Sequence, residues 1–425
     1  MAPPRRPRRR LLVVGESQRY TGYARHAAGL LGELADRWDI HQFEVRDGGQ
    51  RIPRPWQVHR SQVEGDSYGL AQIPGLADRL APDALLFLHD AFLPGLHAEW
   101  LAGRGGRPAV AAVQVERSAD VVEIAPWLDG LDLVVVPHEP ARAALAATRG
   151  SGPALHVVPH GLATAGFPTA GPVQTRAGAR ARLWPGRPDL ASAFIVLNAN
   201  RNIGRKRIDR TLAGFAGLVR AGHQHAWLVL HMGRRDFGID VIATARRLGV
   251  ADRVICTAAD DNHPDVDDAT LRRLYCAADV GVNTADGESW GFVAFEHACA
   301  GAAQIVPGHA GQRAIWDGAA LMLPTGEDAM PAALTRALIR LATEPATLHE
   351  YGRRASARAL DPALAWPTVA AAWDRLLREA TDRRRTSTDS GCDHAGARYQ
   401  ENRAGDKNGD AGSLAPGTGR QPTGR

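Results

Sequence analysis

Two glutamates that follow a predicted strand are the residues of this sequence best suited to chemistry. Glu288 and Glu296 lie eight positions apart in DGESWGFVAFEHACAG (286–301), although residues 140–287 contain no glutamate. Glu288 lies in a glycine-flanked loop, where backbone can approach a ligand and the helix start attracts phosphate. Glu296, inside the helix, can accept hydrogen bonds from two neighbouring hydroxyls, such as those of a ribose. The alternative is that Glu288 only caps the helix and Glu296 is a solvated helix position.

A basic cluster joins the end of another predicted strand to a helix. In NANRNIGRKRID (198–209), Arg201 and Lys206 are five positions apart across a turn. Two cations at this spacing can bind one diphosphate. The alternative is a solvated basic helix start, which the helix dipole opposes unless an anion is also present.

The N-terminal half offers fewer candidates. His89 and Asp90 end ALLFLHD (84–90), at the carboxyl end of a predicted parallel strand, where ligands gather in such sheets. Asp90 is therefore a candidate for holding an acceptor. His160, in VVPHG (157–161), is interpreted as a turn histidine.

A metal site is not predicted. Asp265 and Asp267 form a DxD, but they precede a helix, where aspartate caps the N-terminus. The histidines and the four cysteines lack the spacing of a zinc site, and no CxxC occurs. We expect no cofactor and a reduced, cytoplasmic setting.

Net charge and hydropathy disfavour a nucleic-acid-binding or membrane-spanning protein. The chain has 425 residues and a formal charge of +5, but five arginines fall in the first ten residues. Residues 381–425 carry eight Lys and Arg against six Asp and Glu, which leaves residues 11–380 at −2. A nucleic-acid partner is therefore disfavoured. The apolar runs have strand length, so no membrane span or export signal is predicted, and the basic N-terminus allows at most peripheral membrane contact.

These groups must be positioned by two α/β domains. Short Val, Ile and Leu runs alternate with amphipathic stretches in two series, which predicts parallel sheets with crossover helices that face each other across a cleft. We predict a basic disordered N-terminus (1–10), an N-terminal Rossmann-like domain (11–168), an interdomain connection (169–190), a C-terminal Rossmann-like domain (191–365), a C-terminal helix that could cross back to the first domain (366–380) and a disordered tail (381–425).

The motifs together resemble the retaining glycosyltransferases of family 4, also called glycosyl transferases group 1. The resemblance covers roughly residues 10–380. It depends on Glu288-x7-Glu296, the Arg201 and Lys206 pair, VVPHG (157–161) and YTGYARHAAGLL (20–31). It implies the GT-B fold, with an acceptor domain first and a donor domain second. The implied activity is metal-independent transfer of a sugar from a nucleotide-sugar to an acceptor hydroxyl, with retention.

The resemblance also implies residue roles. Arg201 and Lys206 would hold the donor diphosphate, Glu288 would lie against the donor sugar, and Glu296 would bind the ribose. Other donor-binding positions would be Gly22, Gly287, Ser289, Trp290, Gly291 and Phe292.

The sequence departs from the family at one position. Many members have a sugar-contacting histidine after an N-domain strand, where this chain has AVAAVQVERSAD with Gln114 and Glu116. Glu116 is the residue expected to take the place of this histidine. The alternative is that Glu116 is only an exposed acid after a buried strand. Two other functions remain open: a catalytically silent nucleotide-sugar or glycan-binding protein, and a metal-dependent transferase that uses Asp265 and Asp267.

Overall fold

The computed structural model describes residues 8–401 except 20, 149–151, 164–171, 259, 263, 265 and 327–328. Side chains are described for the same residues apart from 172–175 and 384–401. In this part of the chain no helix is long and apolar enough to cross a membrane.

The N-terminal domain is built on a parallel seven-stranded sheet in the order β3-β2-β1-β4-β5-β6-β7. Its central strands are uninterrupted apolar runs such as LLVV and ALLFL that are buried on both faces, as a parallel sheet covered by helices requires. The strands are β1 (Arg9–Gly15), β2 (Trp38–Glu44), β3 (Gln57–His59), β4 (Ala84–Leu88), β5 (Ala109–Ala112), β6 (Leu133–Val136) and β7 (Ala154–Val157).

The C-terminal domain repeats this plan with six parallel strands in the order β10-β9-β8-β11-β12-β13. Here too the strands are short apolar runs between helices, and the core lies on both faces of the sheet. The strands are β8 (Phe194–Asn198), β9 (Ala226–Leu230), β10 (Val254–Cys256), β11 (Val280–Val282), β12 (Ala303–Pro307) and β13 (Leu321–Leu323).

Helices cover the faces of both sheets. Those that follow the first sheet's strands are α1 (Gly22–Leu34), α2 (Ile73–Leu80), α3 (Phe92–Leu96), α4 (Ala98–Ala102), α5 (Val121–Ile124) and α6 (Glu139–Ala147). The later ones are α7 (Pro172–Leu183), α8 (Ile208–Arg220), α9 (Val241–Arg247), α10 (Asp268–Ala277), α11 (Phe292–Cys299), α12 (Ala310–Trp316), α13 (Ala329–Thr343), α14 (Pro345–Ala359) and α15 (Trp366–Glu401).

The chain returns to the first domain through the beginning of α15. Trp366 packs against Gly29 of α1 and against Gly161, where a Cβ would lie within 2.3 Å of the indole ring. Trp373 joins the same core cluster as β1 and α1, so the beginning of α15 packs on the first domain. The helix is longer than predicted, since its backbone stays helical to Glu401 instead of ending at residue 380. Of the predicted tail, residues 402–425 lie outside the described part.

The predicted interdomain connection (169–190) contains a helix, α7. The Arg180 guanidinium on α7 binds the Asp279 carboxylate at 2.7 Å and the Ala277 carbonyl at 2.8 Å. These contacts pack α7 on the end of α10, so α7 belongs structurally to the second domain.

Candidate active site

A cleft of about 700 Å³ lies between the two domains, at the carboxyl ends of both sheets. Loops after β1, β2, β4 and β5 contribute one wall, and loops after β8, β9 and β11 with the start of α11 contribute the other. The predicted site residues that line it are Gly22, Asp90, Glu116, Arg201, Lys206, Glu288, Ser289, Trp290, Gly291, Phe292 and Glu296. Only Gly287 of the predicted set is not among the lining residues. The two α/β domains therefore bring together groups that lie far apart in sequence.

Glu288 and Lys206 form an ion pair in the C-terminal wall of the cleft. Asn283, just after β11, donates a second hydrogen bond to the Glu288 carboxylate at 2.9 Å. Burial alone would raise the pKa of Glu288, but the charges of Lys206 and Arg205 outweigh it and hold that pKa below its ordinary value. Glu288 is therefore a carboxylate at neutral pH, locked in one orientation.

A loop contact connects this wall to the N-terminal domain. The Glu288 N–H donates to the Glu116 carbonyl at 3.2 Å, and the Arg205 guanidinium binds both the Glu116 carboxylate and the Gly287 carbonyl. A Cβ at Gly287 would lie 2.6 Å from the Arg117 side chain, so glycine is needed for this approach. Gly287 therefore allows the backbone to pack closely against the other domain, whereas the sequence suggested that the backbone approaches a ligand there.

Glu116 lies in the cleft wall opposite Glu288. Burial raises the pKa of Glu116 to about 7, with the Arg205 charge opposing this shift and the Glu288 charge adding to it. The group therefore changes its protonation state near neutral pH. The alternative of an exposed acid does not fit, because the side chain is about 31% exposed and paired.

Arg201 lies at the end of β8 and is more exposed than Lys206. Its guanidinium makes two hydrogen bonds to Asp236, at 2.6 and 3.0 Å, and lies over the Phe237 ring at 5.2 Å. Asp236 follows β9, so the ends of neighbouring strands hold the arginine at the cleft edge. Arg201 and Lys206 both face the cleft, but each already has a carboxylate partner.

Glu296 accepts hydrogen bonds from both domains. The Tyr275 hydroxyl of α10 donates to it at 2.8 Å, and Arg25 of α1 forms an ion pair with it. The second Arg25 nitrogen lies 3.6 Å from Asp268. Glu296 is therefore not the solvated helix position of the alternative, since its side chain is only 14% exposed. The partner on the opposite domain was not predicted.

The remaining C-terminal positions shape the cleft wall. Gly291, with φ of 83°, precedes α11 in the left-handed region that favours glycine. Trp290 is buried and stacks on Phe295 at 4.7 Å, while Ser289 is buried beside it. Phe292 stacks on His160 at 5.3 Å.

Polar side chains also gather on the N-terminal wall. The sequence singled out His89, Asp90 and the stretch 20–31, whereas Glu16 was missed. The Tyr23 hydroxyl donates to Asp90, and His89 lies between Asp90, at 3.5 Å, and the buried Glu16, at 3.3 Å. Thr21 Oγ1 donates to Glu16 at 2.7 Å and also caps α1, whose first residue is Gly22. Glu16 directly follows the apolar run of β1, and this position at the carboxyl end of a strand could have identified it as a candidate.

His160 contacts Gln114, in the stretch after β5. Its Nε2 lies 2.8 Å from the Gln114 side-chain nitrogen, and its ring meets His26 edge-on at 4.1 Å. Burial holds the pKa of His160 well below its ordinary value. The histidine is buried at the cleft floor, where Gln114 also lies, so it is more than a turn residue.

The DxD lies partly outside the described residues, which do not include Asp265. The Asp267 carboxylate accepts from the Thr270 N–H at 2.7 Å and caps α10, the local role expected for it. Among the described residues no group of three or more His, Cys, Asp or Glu side chains is arranged to hold a metal ion.

Solved structures share this architecture. HepE from Anabaena, in complex with UDP and glucose, matches with a TM-score of 0.69 at 16% identity, over 87% of this chain and 100% of its own. Sucrose-phosphate synthase from Thermosynechococcus elongatus gives 0.69 at 18% identity, over 88% and 99%. WaaG, a glycosyltransferase involved in lipopolysaccharide biosynthesis, gives 0.66 at 14% identity, over 88% and 98%. This chain has the GT-B fold.

Sequence comparison adds no closer relationship. No protein-family model matches the chain, and no curated protein matches it by sequence. At these identities the structural likeness establishes the fold, and residue roles must come from the geometry of this cleft.

Proposed function

We propose that this protein transfers a sugar from a nucleotide-sugar donor to an acceptor hydroxyl, with retention of configuration and without a metal ion. The observation that supports the proposal is the ion pair between Lys206 and the buried Glu288, in the cleft between the two domains of the GT-B fold. The pair presents a cation and a fixed carboxylate at adjacent positions on the donor-side wall. That arrangement fits a reaction in which charge separates between a diphosphate and a sugar ring.

The reaction needs partners for both developing charges. As the bond from sugar to nucleotide breaks, negative charge grows on the diphosphate, and Lys206 and Arg201 supply preorganised cations. Positive character grows on the sugar ring, and the ionised Glu288 stabilises it. The carboxylate is held by Asn283 as well as Lys206, so little reorganisation is required. We infer front-face attack, in which the departing phosphate oxygen accepts the acceptor's proton.

The comparisons and the cleft together support a nucleotide-sugar as the donor. HepE has been solved with UDP and with UDP-glucose, so UDP-sugars are the first donors to test. Glu296 is our ribose ligand, since two oxygens of one carboxylate can accept from both ribose hydroxyls once Arg25 moves aside. A hexosyl donor and a cytoplasmic setting remain parts of the proposal.

A donor panel tests the proposal directly. The melting temperature is measured with UDP-, GDP-, ADP- and dTDP-sugars, because a ligand at 100 times its dissociation constant adds about 2.7 kcal/mol of stability. Transfer or hydrolysis of the best donor is then followed with and without EDTA. We expect binding of one nucleotide class and turnover that survives EDTA. Loss of turnover in EDTA and its return with manganese would support the Asp265 and Asp267 alternative.

The catalytically silent alternative also has an observation in its favour. Arg201, Lys206 and Glu296 all have protein partners in the described structure. A silent binding protein would show the thermal shift and neither transfer nor donor hydrolysis, whereas a transferase hydrolyses its donor slowly even without an acceptor.

A further inference from the structure

Two arginines on the N-terminal wall of the cleft are not used by the donor chemistry. Arg19 follows β1, and Arg46 follows β2, the neighbouring strand. Both line the cleft. A Cβ at Gly48 would lie 3.8 Å from the Arg19 Nε, so the Arg19 side chain lies against the loop that carries Arg46. The two guanidinium groups therefore belong to one corner of the cleft.

These arginines have little compensation from protein carboxylates. Within the described residues, Arg19 makes no hydrogen bond or ion pair and interacts with Glu16 only through its charge. Arg46 approaches Glu16 no closer than 4.0 Å. Glu16 itself is occupied by Thr21 and His89. The nearby acid Asp47 pairs with Arg60. The corner therefore carries positive charge that can accept an anion.

The backbone at Arg46 adds a second observation. Its φ is 52°, in the left-handed region that side chains other than glycine seldom adopt. Such a conformation costs free energy, persists when surrounding contacts hold it, and is enriched at ligand sites. Here the Arg46 N–H is held by the Ser67 carbonyl at 2.7 Å.

We infer that Arg19 and Arg46 form an acceptor subsite for an anionic group, a phosphate or a carboxylate carried by a hydroxylated acceptor. This inference rests on the proposed function. Guanidinium groups bind both anions through paired N–H donors. Glu16 connects this corner to His89 and Asp90, so an acceptor anchored at the arginines directs its hydroxyls towards Asp90 and Tyr23. Arg201 lies across the same cleft on the donor side, where its hydrogen bonds to Asp236, and to a smaller extent the charge of Glu16, raise its pKa.

Binding to nucleotide-saturated protein tests the inference. The protein is saturated with UDP, or with the nucleotide that the donor panel selects, so that the diphosphate site is filled. Inorganic phosphate, glucose 6-phosphate, glucuronate and glucose are then titrated. We expect glucose 6-phosphate or glucuronate to bind at least about 10-fold more tightly than glucose, and the stronger of the two identifies the anion. In the double variant Arg19→Gln/Arg46→Gln we expect that affinity to fall about 10- to 100-fold, as for lost charged hydrogen bonds.

The matched control is Arg142→Gln, an exposed arginine on α6 that pairs with Glu139 outside the cleft. It should change none of these affinities, and nucleotide binding should be unchanged in every variant. Equal affinity for glucose and the charged sugars would overturn the inference, as would a charged preference that survives in the double variant. Failure of all nucleotides to bind would instead refute the proposed function. Phosphate titration of the unliganded variants would still test the arginines.

Discussion

The two walls of the cleft differ in whether their cations are paired with carboxylates. On the C-terminal wall, Lys206 pairs with Glu288 and Arg201 pairs with Asp236, so both motif cations have a carboxylate from their own domain. On the N-terminal wall, Arg19 has no ion-pair partner among the described residues. A wall with internal pairs is rigid before ligand arrives, which suits stabilisation of a transition state. A wall with uncompensated charge suits selection of a partner that brings the opposite charge.

Glu288→Gln should have the largest effect on kcat. An unchanged kcat would contradict the proposed contrast between the two walls. We expect kcat to fall about 100-fold or more, near 2.7 kcal/mol, because an ionised group beside the developing charge is lost. Lys206 would also lose its buried partner, so unfolding free energy should fall by about 3 kcal/mol. Kinetics below both melting temperatures and a denaturant titration measure the two effects.

The controls for this prediction come from both walls. Glu350→Gln, on the exposed face of α14, should leave kcat and stability unchanged. Asp90→Asn should raise KM for the acceptor and leave the melting temperature close to wild type, since its carboxylate is 42% exposed. Should Asp90→Asn lose kcat while Glu288→Gln keeps it, the catalytic wall would be the N-terminal one.

The sequence predicts the C-terminal wall better because its signals are local. Glu288 and Glu296 flank the start of one helix, and Arg201 and Lys206 share one turn, so each pair can be recognised within one short stretch of sequence. Lys206 carries an additional signal: it is one of only two lysines among the 51 basic residues. Its compact ammonium is a point charge, unlike the forked guanidinium that the chain uses almost everywhere else.

The N-terminal wall could not be predicted from spacing. Glu16 and His89 meet because β1 and β4 are neighbouring parallel strands, and 73 residues separate them in sequence. The partner of Glu296 was missed for the same reason, since Arg25 comes from the other domain. The strand alternation predicts two parallel sheets, but the choice of which strand ends lie together requires the strand order.

Glu116 contacts both walls, and its protonation should make the free energy of unfolding depend on pH. Its pKa, about 7, lies above the ordinary 4.5, so the folded protein binds its proton more tightly than the unfolded chain does. Stability from this group is therefore fully present below pH 4.5 and is lost as pH rises from 4.5 through about 7. We expect Glu116→Gln to be more stable than wild type at pH 8, by about 1 to 3 kcal/mol, and nearly equal at about pH 4, below the unfolded pKa. Denaturant titrations at both pH values measure the difference. A variant that is less stable than wild type at pH 8 would mean that the Arg205 pair outweighs burial.

Arg25→Ala should have the smallest effect, and it tests the ion pair between the two walls. In the described structure Arg25 occupies Glu296, which we assign to the ribose, so the nucleotide must displace a cation to bind. Removing that cation should tighten nucleotide binding by about 3- to 10-fold, or up to about 1.4 kcal/mol. Glu296→Gln should instead weaken binding and raise KM while kcat stays comparatively intact. In the double variant the gain from Arg25→Ala should disappear, because the group it released is gone, and calorimetry on this cycle isolates the coupling. Arg142→Ala, exposed on α6, is the control and should leave affinity unchanged. If Arg25→Ala weakens nucleotide binding, and does so in both backgrounds, Arg25 contacts the ligand directly and the two walls bind the donor together.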